Sequence, residues 1–360
     1  MKASSSAPVR EANQPAPDAD DDEGPRIELS RRAIATFGVF VVLAVAALYF
    51  LLPKLAGLHD TWHRIEQGSP AWLILAGVFT VGMFGGYVWL FERVFDAARL
   101  TWSESYQITM AALAASRLLS AGGAGGLVLQ AWALRRAGLP ARDVADRTVS
   151  FIVLTYLVYT LAIVVVGYGL YFGVLPGAAP WAITFVPATL ALVVTVAGLS
   201  IAFVPPDLQR RLTRSILARV AGVPATLSAG VRDALLRIRR RDPAILGALL
   251  FWGCQIAVLW ASFRAFGQAP PVAVLIMGFF VGMLGNLLPL PGGIGGVDGG
   301  MIGAFAAFDV DFGLATVAVL TFRGFTFWLP TVPGILAYLQ LRRTVDRWRA
   351  ERRRPAEAAA

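Results

Sequence analysis

Leu287–Asp298 reads LLPLPGGIGGVD, and it lies inside a long apolar region. Two prolines and four glycines in so short a run cannot continue a regular helix. Hydrocarbon offers the backbone no hydrogen-bond partners. Irregular chain at membrane depth therefore persists only where it is buried in protein or lines a wet cavity. An earlier stretch, LLSAGGAGGL at Leu118–Leu127, repeats the pattern, its GGAGG preceding GGIGG by 170 residues. Interruptions in corresponding places of two halves are the sequence mark of a transporter's binding region.

Composition supplies the setting. The chain has 360 residues, 57% hydrophobic and only 15% charged, where a soluble chain carries about a quarter charged residues. Several apolar runs approach the ~20 residues needed to cross a bilayer. The sequence therefore predicts an all-α polytopic membrane protein with about six full spans plus two re-entrant helical hairpins. The net charge of +9 comes from arginine clusters at span ends, which reports orientation in a membrane rather than nucleic-acid binding. The single cysteine, Cys254, lies in an apolar run and reads as a packing residue.

Residues 1–32 are polar and carry the acidic run Asp18, Asp20, Asp21, Asp22 and Glu23, a composition that predicts a disordered cytoplasmic tail. Spans are expected at about 33–52, 71–91, 148–172, 181–203, 244–266 and 312–339. The first hairpin is expected at about 105–138, with Arg135, Arg136, Arg142 and Arg147 clustered at its base. Its arms are too short to cross comfortably, since 15 helical residues reach only about 22 Å. The second hairpin is expected at about 271–308, in a region (265–322) without lysine or arginine. The loop 204–243 holds nine arginines between Arg210 and Arg241 and repeats apolar residues at helical spacing. It reads as basic amphipathic helices on an anionic inner leaflet. Arg342, Arg343, Arg347 and Arg349 open a basic cytoplasmic tail at 342–360.

Three spans separate the hairpins, an odd number, so equivalent hairpins must enter from opposite faces. The arginine distribution puts one mouth inside and the other outside. Both point to an inverted-topology repeat, and against the glycines being only the ordinary enrichment of membrane helices.

Arg323 stands about ten residues, or ~15 Å, into the last span, at a depth where an arginine costs about 2.5–3.5 kcal/mol on insertion scales. It must face a cavity or a carboxylate, and Asp298, just after the second glycine turn, is its natural partner. Such a pair either pins the hairpin or forms a cationic site for a lipid phosphate with Asp298 as gate or counter-ion; intramembrane charge favours the second. Gly292, Gly293, Gly295 and Gly296 let backbone approach closely, while Pro289 and Pro291 stop the incoming helix. Gly122, Gly123, Gly125 and Gly126 do the same in the first half. The helix after each turn offers unpaired N–H groups able to cradle an anion; without that setting, GGxGG signals tight helix packing. Arg117 is the second costly arginine. Asn286 and Gln130 are polar neighbours of the tips that either line the route or satisfy loose backbone. His59 and His63 stand at i, i+4 but lack a third ligand, so no metal or cofactor site is read there.

The segment PLPGGIGGVDGG at 289–300 resembles the Pro-x-Pro-Gly-Gly-x-Gly-x-x-acid motif of the lysylphosphatidylglycerol synthase transmembrane, or flippase-like, family. GGAGGLVLQAWALRRAG at 122–138 is similar to that family's first-half motif, and Arg323 falls where the family has a basic residue in its final span. The resemblance spans roughly residues 33–340. Asp298 replaces the more usual Glu, Ser120-Ala121 lacks the proline common before the first turn, and Gln130 stands where many members carry a charge. The resemblance implies movement of a phospholipid, anionic or aminoacylated, between leaflets, as in the multiple peptide resistance factors. Their separate soluble transferase is expected to be absent here, where a short basic tail follows the last span. The expected function is a bacterial inner-membrane lipid translocase with cytoplasmic termini, and not an enzyme. An ion-coupled small-anion transporter, a membrane-embedded lipid transferase and a non-transporting scaffold are the alternatives.

Overall fold

The computed structural model describes residues 68–96, 100–118, 124–203, 223–287, 293 and 295–358. The expected tail at 1–32, the expected first span at 33–52, the stretch carrying His59 and His63, residues 204–222 of the basic loop, and residues 119–123, 288–292 and 294 at the glycine turns lie outside them. The described residues are mostly helical, with no strand among them.

Helix α1, Pro70–Val94, begins at a proline whose missing N–H would have had no helical partner. Two shorter helices follow, α2 (Trp102–Leu118) and α3 (Ala124–Arg136), packed against each other as the arms of hairpin one. At about 1.5 Å per residue they reach roughly 25 and 20 Å. Helix α4, Ala141–Tyr171, starts seven residues before the expected span because Pro140 sets its N-terminus, so Arg142 and Arg147 belong to it. Helix α5, Phe185–Ser200, returns.

Helix α6, Val223–Arg239, is the described half of the basic loop. It lies on α4 so closely that a Cβ on Gly230 would strike Val149. Its apolar face is thus covered at least partly by protein, where the sequence pointed to lipid. Asp233 fixes the contact, accepting from Ser150 Oγ of α4 at 2.7 Å and Arg237 Nε at 2.8 Å.

The second half repeats the order. Helix α7 (Ala244–Phe266) leads to hairpin two, whose arms are α8 (Val272–Gly282, extended by a 3-10 turn to Leu287) and α9 (Gly296–Ala307). The last span begins as α10 (Phe312–Arg323), with Asp311 capping it through Leu314 N. It passes through a π-helical segment at Gly324–Trp328 and resumes as α11 (Thr331–Ala358), one helix running from the span into the basic tail. Five helical stretches among the described residues are long and apolar enough to cross a membrane.

Equivalent elements of the two halves touch each other. The helices preceding the hairpins, α1 and α7, share the most extensive contact among the described elements and pack with glycine on both sides. A Cβ on Gly86 would lie 2.9 Å from Gly247 O, and one on Gly247 would lie 2.8 Å from Gly86 O. Small residues of this kind let membrane helices approach closely. The first arms are exchanged. Hairpin one's α2 packs on the span after hairpin two, where a Cβ on Gly334 would lie 2.9 Å from Met110 O. Hairpin two's α8 packs on the span after hairpin one, where Tyr159 Oη donates to Phe280 O at 3.1 Å.

A candidate site where the two hairpins meet

Hairpin two closes by glycine. A Cβ on Gly285 would run into Gly296 O, one on Gly282 into Met301, and one on Gly300 would lie 2.8 Å from Gly282 O. Gly282, Gly285 and Gly300 are therefore spent on bringing α8 and α9 together. Gly293 is buried, has φ +66°, and leaves no room for a Cβ between Asn286 Oδ1 and Val297. Gly295 has φ +82° with open space beside it, so backbone conformation alone selects glycine there. Gly292, Pro289 and Pro291 lie outside the described residues. Asn286 is exposed next to Gly293.

That turn delivers Asp298 to the first turn of α9. Its Oδ2 accepts from Gly295 N at 2.8 Å, so the N-terminal amide offered by the sequence to an external anion is held by the chain's own carboxylate. Its Oδ1 lies 2.8 Å from Arg323 Nε of α10. Both residues are buried, Asp298 4% and Arg323 9% exposed.

Arg117 arrives from the other half. It is the penultimate residue of α2, just before the first glycine turn. Its Nη1 donates to Phe327 O at 2.6 Å and to Thr331 Oγ1 at 3.1 Å, and its Nη2 to Thr326 O at 2.9 Å. The reason is local to the last span. Pro330 has no N–H, and Leu329 N reaches five residues back to Gly324 O at 2.9 Å. Carbonyls around residues 326–327 are thus short of helical donors where water is scarce, and the guanidinium supplies them together with the Thr331 hydroxyl, which donates to Phe327 O at 2.7 Å. The Phe327 ring joins the two arginines, with the Arg117 and Arg323 guanidinium carbons 4.7 and 4.4 Å from its centre.

Gly122 and Gly123 lie outside the described residues. Gly125 is half-buried, and Gly126 is pressed against Ala112 O and Ser116, so its function is close packing of α2 on α3. Gln130 is buried in α3, its Nε2 without a hydrogen-bond partner among the described residues. Arg135 is exposed and donates to Leu139 O at 3.3 Å, an anchor at the hairpin base. Sequence reasoning misses Thr326, Phe327 and Thr331. Pro330 and Pro333 are the available signal, since a proline inside a span frees a carbonyl.

No group of three or more histidine, cysteine or carboxylate side chains suited to a metal occurs among the described residues. What converges is two guanidinia, one carboxylate, one aromatic ring and a helix break, all among spans.

Such a helical assembly defines an integral membrane protein with two arginines and a carboxylate gathered at the break in its last span. The chain belongs to the family described as the lysylphosphatidylglycerol synthase TM region, whose sequence model matches residues 36–334. It is similar to UPF0104 membrane proteins of Methanothermobacter thermautotrophicus. One is 26% identical over 350 residues, covering 86% of this chain and 94% of the relative. Another is 23% identical over 327 residues, covering 83% and 94%.

Proposed function

We propose that the protein moves a phospholipid, or another lipid with an anionic head group, between the leaflets of a bacterial inner membrane. The head group passes through the space between the hairpin tips while the acyl tails remain in the bilayer. The observation that carries this reading is the charge count. Two arginines share the Phe327 ring, and the carboxylate of Asp298 pairs with one of them, Arg323. Arg117 is held by two carbonyls and a hydroxyl, all neutral. An excess positive charge at membrane depth is costly, and a lipid phosphate would balance it.

The exchanged packing of α2 and α8 supports an inverted repeat, with hairpin one entering from the cytoplasmic face and hairpin two from the outer face. Arg31 and Arg32 just before the expected first span, and the arginines that follow the last span, support cytoplasmic termini. Asp298 serves as the resident counter-ion that the phosphate replaces at Arg323. Family membership supports a lipid as cargo over a free anion.

The test is leaflet-resolved transfer of fluorescent phosphatidylglycerol in proteoliposomes. Wild-type protein should accelerate transfer, and Arg323→Ala and Asp298→Asn should each reduce it at least tenfold. Transfer by both variants at the wild-type rate refutes the site. Competition by inorganic phosphate with no lipid transfer would favour a small-anion transporter, and a covalently altered lipid would favour a transferase.

A further inference from the structure

The contacts form one unbroken line from hairpin to hairpin. Arg117 at the end of α2 holds Thr326 O and Phe327 O in the break of the last span. Phe327 lies under both guanidinia. Arg323, immediately before the π-helical segment, pairs with Asp298 at 2.8 Å, and Asp298 holds Gly295 N at the start of α9. We propose that this line is an interlock: the charge at Arg323 decides whether Arg117 keeps its grip on the broken helix, so hairpin one stays clasped only while Arg323 faces an anion.

The physical reason is repulsion. With Asp298 in place, the described side chains of the cluster carry two positive charges and one negative. If hairpin two withdraws and takes the carboxylate with it, two guanidinia remain on one ring in surroundings of low dielectric, where like charges interact strongly. Arg323 is fixed at the end of α10, within the last span. Arg117 sits at the end of an arm beside a glycine turn and holds neutral acceptors, so it is the one that leaves. The break can take part because Pro330 keeps it from zipping into regular helix. Coupling between sites is reciprocal, so releasing Arg117 must also alter the Asp298 end.

For the translocation reading, on which only this step rests, an anionic head group on Arg323 stands in for Asp298. Hairpin two then opens with cargo bound while hairpin one remains shut. An empty site with Asp298 withdrawn would lose both closures.

Hydrogen–deuterium exchange of the full chain in nanodiscs tests the interlock without any transport. Asp298→Asn should raise exchange at least tenfold in 102–118 and 324–334, neither of which contains the substitution, as well as in 296–307. Arg117→Gln should raise it in 324–334 and in 296–307. Exchange changes confined to each substituted hairpin overturn the interlock. If Arg117→Gln does not fold, Arg117→Met makes the same test, because it too removes both the charge and the guanidinium donors. Short-chain phosphatidylglycerol added to Asp298→Asn should return 102–118 to wild-type exchange. If it fails to do so while the long-range effects of the substitutions hold, the interlock stands and the anionic-cargo reading falls.

Discussion

Arg117 and Arg323 come from opposite halves of the chain, yet their guanidinium carbons lie 4.7 and 4.4 Å from the centre of one phenylalanine ring, Phe327. Arg323 has a carboxylate at 2.8 Å, whereas Arg117 donates to neutral oxygens. The resulting asymmetry of charge separates the consequences of changing each residue.

Removing one partner of a buried ion pair strands the other charge, which typically costs about 3–5 kcal/mol. Arg323→Ala is expected to fall in that range, because it leaves Asp298 4% exposed and without its cation. The double variant Arg323→Ala/Asp298→Asn should recover part of the loss. Thermal unfolding in a mild detergent reads this, and additive losses in the double variant would show that the pair is not coupled.

Arg117→Met removes the donor that serves Thr326 O and Phe327 O. Phe327 O keeps the Thr331 hydroxyl at 2.7 Å, so Thr326 O is the acceptor left short, at a cost of about 1–3 kcal/mol. The expected result is lower stability together with local exchange in 324–331. Thr331→Val should be milder, because Arg117 keeps both carbonyls and loses only the hydroxyl. Equal effects would place the important contact at the side chain instead.

The glycines of hairpin two should not respond alike. Gly285→Ala pushes a Cβ into the backbone of Gly296, which cannot move cheaply, so a loss of about 1–3 kcal/mol is expected. Gly299→Ala meets nothing within 4 Å inside α9 and should be neutral or stabilising by about 0.5–1 kcal/mol. Unfolding of both variants in detergent makes the comparison, and similar losses at the two positions would contradict the packing described.

Outside the spans, Asp233 predicts an acid limit for the docking of α6 on α4. Burial alone would raise its carboxyl, but hydrogen bonds from Arg237 and Ser150 and the charges of Arg237 and Arg147 outweigh it and hold the pKa below the usual value. A carboxyl lowered in the folded state contributes stability that is present above its unfolded pKa of about 3.9 and is lost as pH falls through the folded value. The stability gap between wild type and Asp233→Asn should be constant above roughly pH 5 and shrink as acid is added below about 4. A gap independent of pH across that range would contradict it.

Much of the fold is legible in the sequence, for physical reasons. Long apolar runs bounded by arginine or proline locate helices, so α1, α4, α5 and α7 begin or end near their expected residues. Depth alone matches Asp298 with Arg323, since charges at the same level of a bilayer have few alternatives. Arg117 is recognisable as costly, but its destination is not readable. Its acceptors are backbone carbonyls more than two hundred residues away, and they are open only because Pro330 and the π-helical segment leave them unmatched. The glycine turns carry two meanings in the sequence, anion cradle and tight packing, and packing claims Gly126 and Gly300 directly. Amphipathicity locates α6 but does not say whether its apolar face meets lipid or protein.

Opposed entry of the two hairpins is tested most directly by the sidedness of single cysteines in a Cys254→Ser background, labelled with a membrane-impermeant maleimide in oriented vesicles. Leu127 at the start of α3 and Asn286 beside the second turn are both exposed and serve as reporters. Leu127→Cys should react from the cytoplasmic side and Asn286→Cys from the outer side. Labelling of both from the same side alone would contradict the inverted arrangement, and with it the route proposed for the head group.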